Sequence, residues 1–289
     1  MGSRVEPSYC VIGDPVAQTL SPAIHRMVYE ELGLSIEYHA VRVAPGDLAA
    51  FVSDTRTRQR PGFNVTIPHK ETIVPLLDEL DSVAGCVGAV NTVLNEKARL
   101  IGFNTDVIGA RVALADAALC PGSKALLLGA GGAARTVLHV LGEFRVRHVA
   151  MHCRSASRAE SLCREFGRRG TFDVSVVNEP ARGVDLAGID LLINSTPVGM
   201  WPKVDESPLA DLRSLPQSAT VFDMVPRPLV TRLLRDARSR GARIVPGMRM
   251  LIAQALAAAE IWLGRKMPDG LFDKIWSSLI REGEIDGTA

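Results

Sequence analysis

Between Ala125 and Leu141 an apolar run, Ala125-Leu126-Leu127-Leu128, breaks into Gly129-Ala130-Gly131-Gly132-Ala133-Ala134-Arg135 and then resumes as Thr136-Val137-Leu138-His139-Val140-Leu141. The pattern reads as strand, glycine turn and helix. Gly129 permits a tight turn, and Gly131 lets backbone amides approach a bound group. The N–H groups that open the following helix favour negative charge, so the stretch Gly129, Ala130, Gly131, Gly132, Ala133 suits the pyrophosphate of a dinucleotide. This unit starts near Lys124, which leaves more than a hundred residues ahead of it to hold a substrate.

A chain of 289 residues has the length for two domains, each with its own core. In the first segment Tyr9–Ile12 reads as a short strand. Ser21-Pro22 then opens a helix as N-cap and first helical residue, with Ile24, Met27, Val28 and Leu32 at helical spacing and Gly33 ending it. A strand over 36–43, a helix from about Asp47, a strand at Phe63-Asn64-Val65 and a hairpin of Thr92–Asn95 with Leu100–Phe103 complete an α/β domain. From Asp106 to about Ala118 an alanine-rich helix leads to the glycine turn. Beyond the turn, strand candidates His148–Cys153, Val174–Val177, Leu191–Asn194, Thr220–Asp223 and Arg243–Val245 alternate with helical segments, as in a doubly wound parallel sheet. The last helices, Met248–Leu263 and Asp269–Arg281, follow the final strand and are expected to return to the first domain. The expected division is residues 1–106 for substrate and catalysis, 107–246 for the dinucleotide and 247–289 for the returning helices.

With 33 basic and 32 acidic residues the chain has no overall field that attracts nucleic acid or an acidic membrane, so small molecules are the expected partners. The five cysteines form no C-x-x-C and no metal-ligand spacing with the six histidines, so neither a metal site nor a disulfide framework is expected. No secretory pattern opens the sequence and no apolar stretch reaches membrane-spanning length, which fits a reducing cytoplasm.

The second strand of a dinucleotide fold usually ends in Asp or Glu where a ribose 2′-hydroxyl is bound. Here it ends His152-Cys153-Arg154-Ser155. Arg154 and Arg158 lie four apart at the helix start, where guanidinium groups bind a 2′-phosphate, and the pattern selects NADP over NAD. Three polar clusters fall at strand ends in the first domain: Thr19-Leu20-Ser21, Asn64-Val65-Thr66-Ile67-Pro68-His69-Lys70, and Asn104-Thr105-Asp106.

With Ala89-Val90-Asn91-Thr92, the glycine turn and Met250-Leu251-Ile252-Ala253-Gln254, these clusters form six motifs in an order that resembles the shikimate dehydrogenase family, from about Tyr9 to Leu263. The resemblance implies a Rossmann-type NADP domain and NADP-linked interconversion of 3-dehydroshikimate and shikimate, in aromatic amino acid biosynthesis. It implies that Thr19 and Ser21 bind the substrate carboxylate, that Thr66, Asn91 and Gln254 bind ring hydroxyls, and that Lys70 and Asp106 flank the reacting carbonyl. Gly247 falls in the late glycine stretch that such proteins place at the cofactor. A quinate/shikimate dehydrogenase, a paralogue acting on a related ring acid, and a non-catalytic dinucleotide sensor are the alternatives, with a monomer or a homodimer expected. The sequence departs from the family pattern at Thr19, Val107, Cys153, Pro226 and Arg249, and Pro226 and Arg249 imply slower turnover or weaker substrate affinity than in members with tyrosine and glycine there.

Overall fold

The computed structural model describes residues 8–117, 119–168, 173–176 and 184–282. Two compact units account for it: residues 8–108 with 252–282, and residues 109–251.

The first unit begins β1 (Ser8–Gly13), α1 (Ser21–Glu31), β2 (Glu37–Arg42), α2 (Leu48–Thr57) and β3 (Gly62–Val65). It continues with β4 (Glu79–Leu80), α3 (Ser82–Val87), β5 (Thr92–Glu96), β6 (Arg99–Phe103) and the start of α4 (Asp106–Leu114), whose remainder from Gly109 belongs to the second unit. Its sheet runs β2-β1-β3-β5-β6-β4, with β1 parallel to β2 and β3, and β5 antiparallel to β3 and β6. Cys10, Ile12, Val52, Phe63, Val65, Val93 and Leu100 form its core, each large side chain contributing about 1.5–3 kcal/mol on burial.

Local details differ from the sequence reading for identifiable reasons. Ser21 is the first helical residue and not the cap, because the Leu20 carbonyl already accepts the Ile24 N–H at 3.0 Å and makes Leu20 the cap. The β5–β6 hairpin closes on Lys97 and Ala98, both at positive φ (52° and 71°), a two-residue turn that normally selects Asn or Gly. Helix α3, absent from the sequence reading, is capped by Asp81, whose carboxylate accepts the Val83 and Ala84 N–H groups. Helix α4 ends at Leu114, short of the expected limit, and Ala118 lies outside the described residues.

The second unit contains β7 (Lys124–Leu128), α5 (Gly132–Glu143), β8 (His148–His152), α6 (Ala156–Gly167) and β9 (Asp173–Val176). Then come β10 (Leu191–Asn194), β11 (Thr220–Asp223), α7 (Arg232–Ser239), β12 (Arg243–Pro246) and the start of α8 (Gly247–Leu263). Val177, expected at the end of a strand, lies outside the described residues. All paired strands are parallel, in the order β12-β11-β10-β7-β8-β9. This is the doubly wound order, whose direction reverses between β7 and β10, and ligands of such sheets bind outside the carboxyl ends of the strands at that point. Strands β7 and β10 are apolar and buried almost throughout, as strands covered on both faces must be.

The rest of α8 and α9 (Leu271–Arg281) belong to the first unit. Trp262 anchors α8 there, donating its indole N–H to the Val93 carbonyl at 3.0 Å and stacking on Tyr9 at 4.4 Å. Gly62 makes room for the indole, since a Cβ there would sit 2.5 Å from Trp262 Nε1. Asp269 and Gly270 precede α9, which starts two residues later than expected, at Leu271. No helix among the described residues is long and apolar enough to cross a membrane.

Candidate active site

In the first unit two of the three polar clusters meet around Asn91. Backbone bonds first fix the frame: Thr66 N–H donates to the Ile12 carbonyl, Val65 N–H to Asn91 O, and Val90 N–H to Lys70 O. The loop carrying Lys70 is thereby tied both to β1 and to the segment carrying Asn91. Lys70 Nζ then lies 2.5 Å from Asp106 Oδ2, with the two side chains 16% and 7% exposed. Little water reaches the pair, so charge-assisted bonding there is strong and loss of one partner is costly.

Asn91 is the hub. Its Nδ2 lies 2.9 Å from Thr105 Oγ1, 3.0 Å from Asp106 Oδ1 and 3.2 Å from Gln254 Oε1, while its Oδ1 accepts the Thr105 N–H at 2.7 Å. The Thr105 amide thus fixes which end of the Asn91 side chain faces Asp106. Behind Asn91, Tyr38 O–H donates to Asn64 Oδ1 at 2.6 Å, and Asn64 Nδ2 donates to Asn91 O and Thr92 Oγ1. Asn104 donates to Ala89 O, and His69 donates its ring N–H to Val43 O, so both hold backbone.

Thr19 and Ser21 form a separate hydroxyl pair 3.0 Å apart at the start of α1, with Thr66 half-buried at the end of β3. The structure therefore brings Lys70, Asp106, Asn91 and Gln254 into one network and joins Thr19 to Ser21. Sequence reasoning passed over Thr105, Thr92 and Tyr38, although Thr105 stood inside a quoted motif directly before the nominated Asp106.

His25, on α1, has both ring nitrogens buried without a hydrogen-bond partner and stacks on Tyr38 at 4.1 Å. Burial pushes its pKa down to about 3, with the nearby Asn64 side chain opposing the shift. It is a neutral core histidine.

In the second unit Gly129 has φ +109°, and a Cβ there would sit 2.5 Å from Ser195 Oγ. Gly131 caps α5 without a side-chain bond, and a Cβ on it would meet nothing within 4 Å. Packing alone does not require glycine at Gly131, and the open space before the helix terminus fits an approaching phosphate group. Arg154 and Arg158 are exposed where β8 leads into α6. Gly247 has a different reason to be glycine: a Cβ there would lie 2.6 Å from the Met224 carbonyl group, so the backbone of the segment after β11 packs directly on it. Of the departures, Val107 is buried, and Arg249 turns to Asp116 at 3.6 Å.

Residues 11–93 match the family model described as the shikimate dehydrogenase substrate binding domain. The NADP(+) shikimate dehydrogenase of Symbiobacterium thermophilum is 41% identical over 263 residues, covering 89% of both chains. The chain belongs to the shikimate dehydrogenase family. Among family structures, the shikimate 5-dehydrogenase of Thermus thermophilus in complex with NADP(H) and shikimate is 35% identical with a TM-score of 0.80, covering 94% of this chain and 98% of that one. The fold also extends to the 5-ketofructose reductase of a Gluconobacter species, 29% identical with a TM-score of 0.83, covering 96% of this chain and 100% of that one.

Proposed function

We propose that this chain is an NADP-dependent oxidoreductase that interconverts 3-dehydroshikimate and shikimate, with substrate held by the first unit and dinucleotide by the second. The observation that carries the reading is the buried Lys70–Asp106 pair, joined through Asn91 to Gln254 within a chain that belongs to this family.

The roles follow from the donors and acceptors each group offers. Thr19 and Ser21 present two adjacent hydroxyls to the substrate carboxylate. Thr66, Asn91 and Gln254 offer a mixed donor and acceptor set suited to ring hydroxyls, and a small polyhydroxy acid needs many such contacts. Lys70 Nζ gives a proton to the carbonyl oxygen during reduction and takes it back from the hydroxyl during oxidation. Asp106 holds the amine in place through Oδ2 while its Oδ1 is held by Asn91. The nicotinamide, when bound, supplies or accepts the hydride, so that ketone, hydride and proton balance as the secondary alcohol. Gly129 to Ala133 cradle the pyrophosphate, and Arg154 and Arg158 take the 2′-phosphate.

The ketofructose reductase likeness favours a second reading, in which the substrate is another hydroxylated carbonyl compound. Turnover of Lys70→Ala with shikimate tests the first reading. A fall in kcat of about a hundredfold or more with KM nearly kept is the expected outcome for a group acting in the transition state. Near-normal turnover would refute it.

A further inference from the structure

Four segments of the second unit converge on one buried carboxylate that no role above uses. Asp223, the last residue of β11, is 0% exposed. Its Oδ1 accepts Asn194 Nδ2 at 2.9 Å and the Val225 N–H at 3.0 Å, and its Oδ2 accepts the Thr231 hydroxyl at 2.6 Å. Thr231 in turn caps α7 by accepting the Leu234 N–H. Asp223 pairs in register with Asn194 on one side and Pro246 on the other, and the backbone at Asp223 and Met224 packs on Gly247. Three neutral donors, and no cation among the described residues, hold this carboxylate.

The contact does not stop at Asn194. That side chain accepts the Thr196 N–H at 3.0 Å and the Thr196 hydroxyl at 2.6 Å, and it donates to Val198 O at 3.2 Å. The turn it builds sets Ser195, whose hydroxyl and N–H both donate to Leu128 O, at 2.6 and 2.9 Å. Ser195 and Thr196 supply the atoms against which Gly129 closes, within 2.5 and 3.1 Å of a Cβ built there. Asn194 also pairs with Leu128 in the sheet, at the point where strand order reverses. A continuous path of hydrogen bonds and contact therefore leads from Asp223 through Asn194 to the glycine turn.

We propose that Asp223 and Asn194 are positioning residues for the dinucleotide: they hold the Ser195-Thr196 wall that sets the glycine turn. The inference rests on the NADP reading above. Neither residue needs to touch the cofactor, and their effect is on its affinity.

The test is equilibrium calorimetry of the full chain with NADP+, and separately with shikimate, alongside thermal melting without ligand. Asp223→Ala removes both acceptor oxygens and Asn194→Ala removes the relay, and each is expected to weaken NADP+ about tenfold or more, leaving shikimate affinity within about twofold. Asp223→Asn can keep its oxygen toward Asn194 and Val225 while its amide donates to Thr231, so it is expected to stay within about threefold of wild type. A folded Asn194→Ala protein that binds NADP+ as tightly as wild type would overturn the proposal, even if Asp223→Ala fails to fold. Equal loss of shikimate affinity would overturn it too, as would Asp223→Asn binding as weakly as Asp223→Ala. If the wild-type chain binds no NADP+, the underlying NADP reading fails instead.

Discussion

Removing both members of the Lys70–Asp106 pair should separate stability from activity, although removing either one alone lowers stability. With 2.5 Å between Nζ and Oδ2 and exposures of 16% and 7%, the pair is shielded enough that stranding one charge costs about 3 kcal/mol. Asp106→Leu leaves the Lys70 ammonium without its carboxylate and should show that loss in full. Lys70→Met should cost less, because Asp106 still accepts from Asn91 at 3.0 Å. The double variant Lys70→Met/Asp106→Leu removes both charges and should return to within about 1 kcal/mol of wild type, since apolar replacement of a buried pair is often neutral. Urea unfolding measures this, with the midpoint read at constant m. Turnover should not recover in the double variant, because the proton-transferring amine is gone. Additive losses in the double variant, or Asp106→Leu costing under about 0.5 kcal/mol, would show that the pair is not coupled as its geometry requires.

Replacing Arg154 and Arg158 together by Ala should weaken NADP+ binding far more than NAD+ binding in calorimetric titrations; equal loss would mean that the arginines only solvate the surface. His25 is held neutral in the fold by burial, with its pKa near 3, while the unfolded chain takes up a proton below about 6.5. Its contribution to stability is therefore full above that pH and is lost as pH falls, so His25→Phe should flatten the decline in melting temperature between about pH 6 and 4. Gly62→Ala would press a methyl group onto Trp262 Nε1 and Val93 O, both 2.5 Å away. Its urea midpoint should drop by about 1–3 kcal/mol equivalent.

The second unit was legible because its signals are local: an apolar run, a glycine turn and an amphipathic helix repeat at short range, and the parallel order follows from that alternation. Thr220–Asp223 and Leu191–Asn194 match their strands residue for residue. The β5–β6 hairpin and its turn near Glu96-Lys97-Ala98 were legible, but the positive φ of Lys97 and Ala98 was not, because it is imposed by the register of β5 on β6 and not by their own preference. Arg249 was read only as a departure from the family pattern, because which way a long side chain turns depends on a partner, Asp116, far off in sequence. Lys70, Asp106, Asn91 and Gln254 were nominated from motifs spread over the chain, whereas Thr105 and Asp223 matter through partners that only folding brings near. A polar Asn-Ser-Thr ending an apolar strand was a readable signal at Asn194, of the same kind as the clusters used in the first unit.

Whether the chain is an NADP-dependent shikimate dehydrogenase is decided by the initial rate of NADP+ reduction, followed by absorbance, with shikimate as the only oxidisable substrate, beside parallel reactions with quinate and with NAD+. Rapid, shikimate-dependent formation of NADPH is expected, with kcat/KM higher for shikimate than for quinate and higher with NADP+ than with NAD+. Absence of shikimate-dependent reduction, alongside efficient use of another hydroxylated acid or sugar, would overturn the assignment.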